Sequence, residues 1–186
     1  MISNLYHWYA LRVQTRRANA AAAALRGKGF EEFLPVYSCR RRWSDREKIV
    51  ELPLFPGYIF CRIDLSDRLV PVLTTPGVTG FVSAGRVPLP VAEQEIETLQ
   101  RVARSGLSAV PCPYVRVGSR ITLEAGPLAG LEGLVMKIDS LDRLVVSISL
   151  LQRSVAIEID PQWARALEPL GANRLAHAAA ACAAHN

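Results

Sequence analysis

The chain has 186 residues, half of them hydrophobic, which suits one domain or two small ones with hydrophobic cores of their own. It carries a formal net charge of +5, and no window approaches the roughly 18 to 20 uninterrupted apolar residues of a membrane span. The chain reaches Arg12 without an apolar export segment or a cleavage site. We therefore expect a cytoplasmic protein that does not enter a membrane.

The positive charge is concentrated in the first third of the chain. Residues 1–63 hold eleven Lys+Arg against five Asp+Glu, a balance of +6, whereas residues 64–186 hold eleven against twelve, a balance of −1. Nineteen of the 22 basic residues are arginine, whose planar guanidinium suits phosphates and base edges. This pattern predicts a polyanionic partner for the first third, although a high-GC genome would also enrich arginine.

The cysteines and histidines show no catalytic or metal-binding pattern. They are Cys39, Cys61, Cys112, Cys182, His7, His177 and His185. No CxxC pair occurs, and no histidine falls near a Ser, Cys or Asp pattern typical of a triad. We predict no metal, no cofactor and no enzyme. An enzyme with Cys39 or Cys61 as its nucleophile stays as a minor alternative.

The first 104 residues alternate strand and helix patterns. Strands are predicted at 6–13, 30–36, 59–63 and 78–82, and helices at 15–25, 67–73 and 92–104. The last helix has the apolar stripe Ile96, Leu99, Val102 and Ala103. The charged segment 40–51 is predicted as a hairpin or a loop. The segment 52–60 contains two prolines, which exclude it from a central strand.

The second half has a different pattern. Gly106, Pro111 and Pro113 predict a linker at 106–113, followed by short strands at 121–124, 134–138, 144–150 and 155–159. Such closely spaced strands are typical of a small barrel. We expect domains at 1–105 and 114–170, and an alanine-rich tail at 171–186 that is frayed or disordered.

Several motifs occur in an order that is specific to one family. They are Trp8-Tyr9, Phe55-Pro56-Gly57-Tyr58, Pro76-Gly77-Val78, Gly80-Phe81-Val82, Val117-Gly118 and the segment 126–133. The first four resemble the N-terminal domain of NusG transcription elongation factors, and the last two resemble the KOW motif of that family. The resemblance covers about residues 6–168. It implies an α+β protein: a NusG-type α/β sandwich with an antiparallel sheet flanked by helices, then a small KOW β-barrel.

The resemblance implies a polymerase-binding surface. NusG-type N-terminal domains dock an apolar surface onto the clamp helices of RNA polymerase, so that the elongation complex pauses less. The candidate contacts are Trp8, Tyr9, Phe55, Pro56, Tyr58 and Phe81. Clustered aromatic residues of this kind make binding hot spots. We expect at least Trp8 or Tyr9 to lie in the core instead.

The resemblance also implies a nucleic-acid surface. RfaH-like paralogs read the non-template DNA strand with the segment between the first strand and its helix, which here contains Arg12, Gln14, Arg16 and Arg17. A second group extends this prediction to Arg40, Arg41, Arg42, Trp43, Arg46 and Lys48. Trp43 could stack on an unpaired base. For the second group, solvated loop charge is an equal alternative.

One segment is similar to the sequences of a specialised branch of the NusG family. Residues 42–58 are similar to UpxY-type antiterminators, which are kin of RfaH and act on long operons. We therefore expect an operon-specific antiterminator. A general NusG factor and a KOW-containing ribosome-associated protein are the alternatives. RfaH carries a His-Thr-Thr element that makes a second contact with RNA polymerase. The corresponding stretch here is Arg68-Leu69-Val70, which departs from that element.

The KOW resemblance rests on Gly126, Pro127, Gly130 and Gly133. Glycine serves tight turns and close backbone approaches in a small barrel. In this family the domain recruits a small-subunit ribosomal protein or the termination factor Rho. The β-branched residues of 144–159 favour a permanent barrel over the helical hairpin of RfaH. We expect a monomer.

Overall fold

The computed structural model describes residues 6–43, 46–66, 68–114, 119–138 and 141–166. The strands are β1 (His7–Val13), β2 (Glu31–Phe33), β3 (Val36–Trp43), β4 (Arg46–Pro53), β5 (Tyr58–Ile63), β6 (Val78–Phe81), β7 (Ser83–Ala84), β8 (Val87–Pro88), β9 (Pro90–Val91), β10 (Ala109–Pro113), β11 (Ser119–Leu123), β12 (Glu132–Ile138), β13 (Leu141–Ile148), β14 (Arg153–Glu158) and β15 (Ala164–Ala166). The α-helices are α1 (Ala18–Gly27), α2 (Leu69–Leu73) and α3 (Glu93–Arg104), and short 3-10 turns lie at Thr15–Arg17, Ser149–Leu151 and Pro161–Trp163. The predicted tail at 171–186 lies outside the described residues.

The first sheet is built around β1. Strand β5 pairs with β1 along six residues, from His7 to Arg12, and β2 pairs with the far edge of β5. The other edge of β1 is shared, because β9 pairs with Trp8 and Tyr9 while β6 pairs from Leu11 onward. Every pairing is antiparallel. The predicted antiparallel sheet is therefore present, with β9 as an added strand.

Helices cover both faces of the first sheet. Alternation along β1 sends Trp8 and Ala10 to one face and Tyr9, Leu11 and Val13 to the other. The second face packs against the alanines of α1, which are small enough to let the helix lie close. The first face packs against α3, so the half up to residue 104 is a mixed α/β layered structure.

The apolar stripe of α3 is confirmed in three of its four positions. Ile96, Leu99 and Val102 are buried, whereas Ala103 is exposed. Acidic residues in the first turn and Arg101 and Arg104 in the last turn match the helix dipole, as expected. The stripe is narrower than predicted because Ala103 lies beyond the edge of the buried face.

The second sheet has the order β10-β14-β13-β12-β11-β15, and all its pairings are antiparallel. In the described part of the chain this sheet does not close, because β10 and β15 are its two ends. The predicted linker differs from the structure, since Ala109–Pro113 forms β10 and pairs with β14. An edge strand tolerates Pro111 and Pro113, which lack a backbone donor.

Helix α3 also contacts the second sheet. The Glu95 carboxylate accepts a hydrogen bond from the Ser149 amide at 3.1 Å, and Arg101 donates to the Ala129 carbonyl at 2.7 Å. One hydrophobic cluster contains residues of both sheets. Where the structure describes the chain, no helix is long and apolar enough to cross a membrane.

Candidate functional site

Two Pro-Gly turns have the same geometry and lie at the same end of β1. In each, the amide of the fourth residue donates to the carbonyl of the first, at 3.1 Å in turn 55–58 and 3.0 Å in turn 75–78. The third residues, Gly57 and Gly77, have φ of 87° and 93°. This is the pattern of a type II turn, in which proline suits the second position and glycine the third.

Both turns are attached to the segment that follows β1. The Val13 amide donates to the Gly57 carbonyl at 2.8 Å, and the Gln14 amide donates to the Gly77 carbonyl at 2.9 Å. A Cβ on Gly77 would lie 3.1 Å from the Cβ of Arg17, so this turn packs directly against the start of α1. Three motifs that are far apart in the sequence are thus assembled at one end of the first sheet.

The arginine-rich segment between β1 and α1 is exposed. Arg12, Gln14, Arg16 and Arg17 all have exposed side chains. The ion pairs of the described chain involve Arg26, Arg62, Arg120 and Arg165. The three arginines of the segment take part in none of these pairs, so their charge is not compensated by any carboxylate in that part of the chain.

The segment also lies at the N-terminal end of α1, where the backbone dipoles already make the potential positive. Arg17 immediately precedes α1, and the first turn of the helix contains no acidic residue. Backbone dipoles make a helix N-terminus positive, and each nearby like charge costs about 0.3–1 kcal/mol. Arg16 and Arg17 therefore raise the positive potential at a place where sequences usually lower it. A bound anion would remove this cost.

Four of the six predicted polymerase contacts lie in the core. The exposed fractions are 2% for Trp8, 6% for Tyr9, 1% for Phe55 and 8% for Phe81. Tyr9 and Phe81 meet edge to face, with ring centroids 6.0 Å apart. Phe55 meets Phe60 in the same way at 5.7 Å on the opposite face of the sheet. The expectation that Trp8 or Tyr9 lies in the core is met by both residues.

The other two predicted contacts lie at the surface. Pro56 is exposed at the tip of its turn, and Tyr58 is half-buried. The guanidinium carbon of Arg153 lies 5.9 Å from the centroid of the Tyr58 ring. Arg153 is not among the residues that the sequence predicts for this surface. Its contact depends on how the second sheet packs against the first, and no local pattern signals it.

The second predicted nucleic-acid group lies on a separate two-stranded hairpin. Strands β3 and β4 pair over eight residues each, and neither pairs with the two larger sheets. Arg40, Arg41, Arg42 and Trp43 lie on β3, and Arg46 and Lys48 lie on β4. The segment 40–51, predicted as a hairpin or a loop, belongs to a hairpin.

Comparison with known proteins gives the family. The family model described as "Transcription termination factor nusG" matches residues 6–100, which contain both Pro-Gly turns and the arginine-rich segment. The chain belongs to the NusG family. It is 30% identical to the transcription termination/antitermination protein NusG of Thermus thermophilus over 173 residues, covering 82% of this chain and 94% of that protein.

The chain is also similar to other NusG proteins. The protein of that name from Deinococcus radiodurans is 30% identical over 182 residues, with 82% of this chain and 95% of the relative covered. A solved structure described as "Domain interaction in Thermotoga maritima NusG" aligns with a TM-score of 0.56 at 20% identity, covering 88% of this chain and 98% of that one. At this identity the structural likeness supports the NusG-like fold.

The glycines of the predicted KOW segment have steric roles in this NusG-family chain. A Cβ on Gly126 would lie 2.6 Å from the Trp163 ring, and one on Gly133 would lie 2.7 Å from Leu144. Gly130 has φ of 80°, and Pro127 is exposed. No sequence motif indicates a role for Trp163. Its half-buried ring lies against the backbone of Gly126, so any side chain at position 126 would collide with it.

The buried thiol of Cys61 does not suit nucleophilic chemistry. Burial, with a smaller contribution from Glu32, raises the pKa of Cys61 to about 12. The thiolate is the reactive form, so a thiol with this pKa is inert near neutral pH. Within the described ranges, no group of three or more His, Cys, Asp or Glu residues could hold a metal. The relatives are transcription factors, and the family likeness does not point to an enzyme.

Proposed function

We propose that this protein binds RNA polymerase through its first sheet and suppresses pausing or termination during elongation. Family membership supports the general role, because its relatives are named transcription termination/antitermination proteins. One structural observation carries the proposal to specific residues: the two Pro-Gly turns share one end of the first sheet with Arg12, Arg16 and Arg17, which form no ion pair with a carboxylate of the described residues. An apolar contact and an anion contact are therefore close together.

The polymerase contact is proposed to centre on Pro56 and Tyr58. Both belong to a turn whose backbone is held by Val13, so the contact surface is preorganised. Phe55, Trp8, Tyr9 and Phe81 support this surface from the core rather than contacting the clamp helices directly. Their burial supports this division.

The nucleic-acid contact is proposed to use Arg12, Gln14, Arg16 and Arg17. Arginine and glutamine can contact base edges, and arginine neutralises phosphates. The exposure of the four residues and their position at the positive end of α1 support contact with the non-template DNA strand. The hairpin formed by β3 and β4 extends this role.

A binding measurement with purified core RNA polymerase tests the apolar contact. We expect Tyr58→Ala to weaken binding by at least tenfold, since hot-spot truncations cost about 2 kcal/mol or more. Val87→Ala is the control, because Val87 is an exposed apolar residue on β8, in a different hairpin. Equal binding by all three proteins would contradict the proposed contact.

Residues 114–170, whose strands form the second sheet together with β10, are proposed to be a KOW domain that closes as a barrel and recruits a small-subunit ribosomal protein or Rho. Its all-antiparallel strand order and its sterically required glycines support this proposal. The described residues between 109 and 166 contain no α-helix. A predominantly helical circular dichroism spectrum of residues 114–170 alone would contradict it.

The specialised role is proposed from one segment. The resemblance of residues 42–58 to UpxY-type antiterminators supports an operon-specific antiterminator, while the names of the relatives fit a general NusG factor equally well. Chromatin immunoprecipitation of the tagged protein separates these roles. Signal on one or a few long operons supports specialisation, signal on nearly all transcribed genes supports a general factor, and no association with polymerase contradicts both.

A further inference from the structure

An extra residue interrupts the pairing of β6 with β1. Gly80 is opposite Arg12. The next residue of β1, Val13, is opposite Val78 rather than Thr79. The register thus skips Thr79, which is the arrangement of a β-bulge. Gly80 has φ of 152°, a value that residues with a side chain rarely adopt, so glycine suits the interrupted strand. Bulges of this kind are common beside functional sites, where they redirect a side chain.

The polarity of β6 explains the bulge. Without it, Thr79 would be opposite Val13 and would face the buried side of the sheet, because directly opposite residues share a face. In the structure Val78 takes that place and packs against the hydrophobic cluster that contains Val13. Thr79 is exposed instead. The extra residue therefore places the apolar side chain inside and the hydroxyl outside, at the end of β1 where the arginine-rich segment begins.

The Thr79 hydroxyl holds the end of β1. It donates to the Arg12 carbonyl at 3.1 Å. The next two amides of the chain, at positions 13 and 14, donate to the carbonyls of the glycines in the two Pro-Gly turns. Three consecutive residues are therefore fixed by three separate segments. The bond from Thr79 is made by a side chain, so a single substitution can remove it without altering the backbone.

The fixed carbonyl belongs to a residue whose side chain is exposed. Arg12 is directly opposite Tyr58 on one side and Gly80 on the other. A Cβ on Gly80 would meet open space, so β1 is accessible on the side of the bulge. A fixed backbone lowers the conformational entropy that a long side chain loses when it binds a ligand. The bond from Thr79 therefore preorganises Arg12 beside an open part of the sheet.

We propose that Thr79 is a positioning residue for nucleic-acid binding, and that its bond to the Arg12 carbonyl keeps Arg12 oriented for contact with single-stranded DNA. Thr79 itself does not touch the DNA, whose phosphates the arginines of the segment neutralise. The inference rests on the nucleic-acid part of the proposed function. It adds a residue that lies between the Pro76-Gly77-Val78 and Gly80-Phe81-Val82 motifs and belongs to neither.

Five variants of the full-length protein test this role. Thr79→Val removes the hydroxyl and keeps the branched shape, whereas Thr79→Ser keeps the hydroxyl. Thr74→Val is the matched control, because Thr74 is also exposed and its hydroxyl donates to a backbone carbonyl, that of Val70 in α2, at 3.0 Å. Arg12→Gln, alone and combined with Thr79→Val, completes a double-mutant cycle. Binding to a fluorescein-labelled single-stranded DNA oligonucleotide is measured by anisotropy at several salt concentrations, without polymerase.

We expect Thr79→Val to weaken binding about fivefold, the factor that corresponds to one net hydrogen bond. Its salt slope should stay unchanged because no phosphate contact is lost, whereas Arg12→Gln should lower the slope by about 0.7. Thr79→Ser and Thr74→Val should bind within about twofold of the unmodified protein. When Arg12 is already replaced, Thr79→Val should have little further effect, because the group that it positions is absent.

Circular dichroism and thermal unfolding check that the variants remain folded. We expect them to do so, because Thr79 is exposed and water can replace its hydroxyl at the Arg12 carbonyl. A loss of binding without a loss of folded structure, restored by Thr79→Ser, is the result that a positioning role requires.

The outcomes separate this inference from the proposed function. A fivefold loss that persists in full in the Arg12→Gln background would show that Thr79 acts independently of Arg12, and would overturn the positioning role. Unchanged binding by Thr79→Val, or an equal loss in Thr74→Val, would also overturn it while leaving the nucleic-acid contact in place. Absence of binding by the unmodified protein would overturn both the positioning role and the nucleic-acid part of the proposed function. Polymerase binding by Tyr58 is measured separately and does not depend on these results.

Discussion

The guanidinium of Arg153, the first residue of β14, lies over the ring of Tyr58, the first residue of β5, with 5.9 Å between the guanidinium carbon and the ring centroid. This contact joins the second sheet to the turn that carries Pro56. The Glu95 to Ser149 hydrogen bond joins the same two parts of the chain through α3. Tyr58 is therefore half-buried partly because of the second sheet.

A double-mutant cycle measures this contact. We expect Tyr58→Leu and Arg153→Met together to lose less stability than the sum of the single losses, with a coupling of about 0.5–1 kcal/mol from the cation–π contact. Urea denaturation of the four proteins gives the coupling. A coupling of zero within error would show that the guanidinium and the ring do not interact in solution.

Phe55 and Pro56 are neighbours with opposite environments. Phe55 is 1% exposed, so Phe55→Ala should lower the free energy of unfolding by about 3–5 kcal/mol. Pro56 is exposed, and Pro56→Ala should cost only about 0.4–1 kcal/mol through the entropy of the unfolded chain. Urea denaturation compares the two. Similar losses in both variants would place Phe55 outside the core.

Local periodicity predicted α3, the longest helix of the described residues. The spacing of Ile96, Leu99 and Val102 is enough to identify α3 and its buried face, because a helix repeats every 3.6 residues. Strand β10 was predicted as a linker, since Pro111 and Pro113 argue against a strand until the strand is known to lie at a sheet edge. Whether a strand lies at a sheet edge depends on the tertiary structure, which the sequence of one segment does not reveal.

The residue types of the candidate site could be predicted from the sequence, but which of its aromatic side chains are exposed could not. Phe55 and Tyr58 are three residues apart and chemically alike, yet the turn between them sends Phe55 into the core and leaves Tyr58 half-exposed. Arg153 follows Tyr58 by about 95 positions, and only the packing of two sheets brings them together. The arginines around β1 were predictable because their exposure follows from charge alone.

The two turn glycines should differ in their response to alanine. Gly57 and Gly77 both have positive φ, but a Cβ on Gly57 would be 3.8 Å from its nearest neighbour, whereas one on Gly77 would be 3.1 Å from the Cβ of Arg17. We expect Gly57→Ala to cost about 1–2 kcal/mol from backbone strain. Gly77→Ala should cost more, because the start of α1 must also move. Thermal or urea unfolding gives the difference, and equal costs would argue against the close approach.

Cys61 should make stability depend on alkaline pH. The pKa of its thiol is raised from 9.0 to about 12, first by burial and then by Glu32, so the folded state binds this proton more tightly than the unfolded state. The stabilisation is complete below pH 9 and is lost as the pH rises toward 12, by about 1.4 kcal/mol at pH 10. The difference between the unmodified protein and Cys61→Ala, measured by urea unfolding at pH 7 and pH 10, isolates this effect. A difference that does not change with pH would contradict the raised pKa.

Arg16 and Arg17 should lower stability while favouring anion binding. Both lie next to the positive N-terminal end of α1, so Arg16→Gln and Arg17→Gln should each raise the free energy of unfolding by about 0.3–1 kcal/mol at low salt. The same substitutions should weaken binding to a single-stranded oligonucleotide and reduce its salt slope.

Arg104→Gln is the matched control, because Arg104 is exposed at the C-terminal end of α3, where a positive charge is favourable. It should lower stability slightly and leave nucleic-acid binding unchanged. Stabilisation by Arg16→Gln without any loss of binding would show that the cost of this charge serves no nucleic-acid contact.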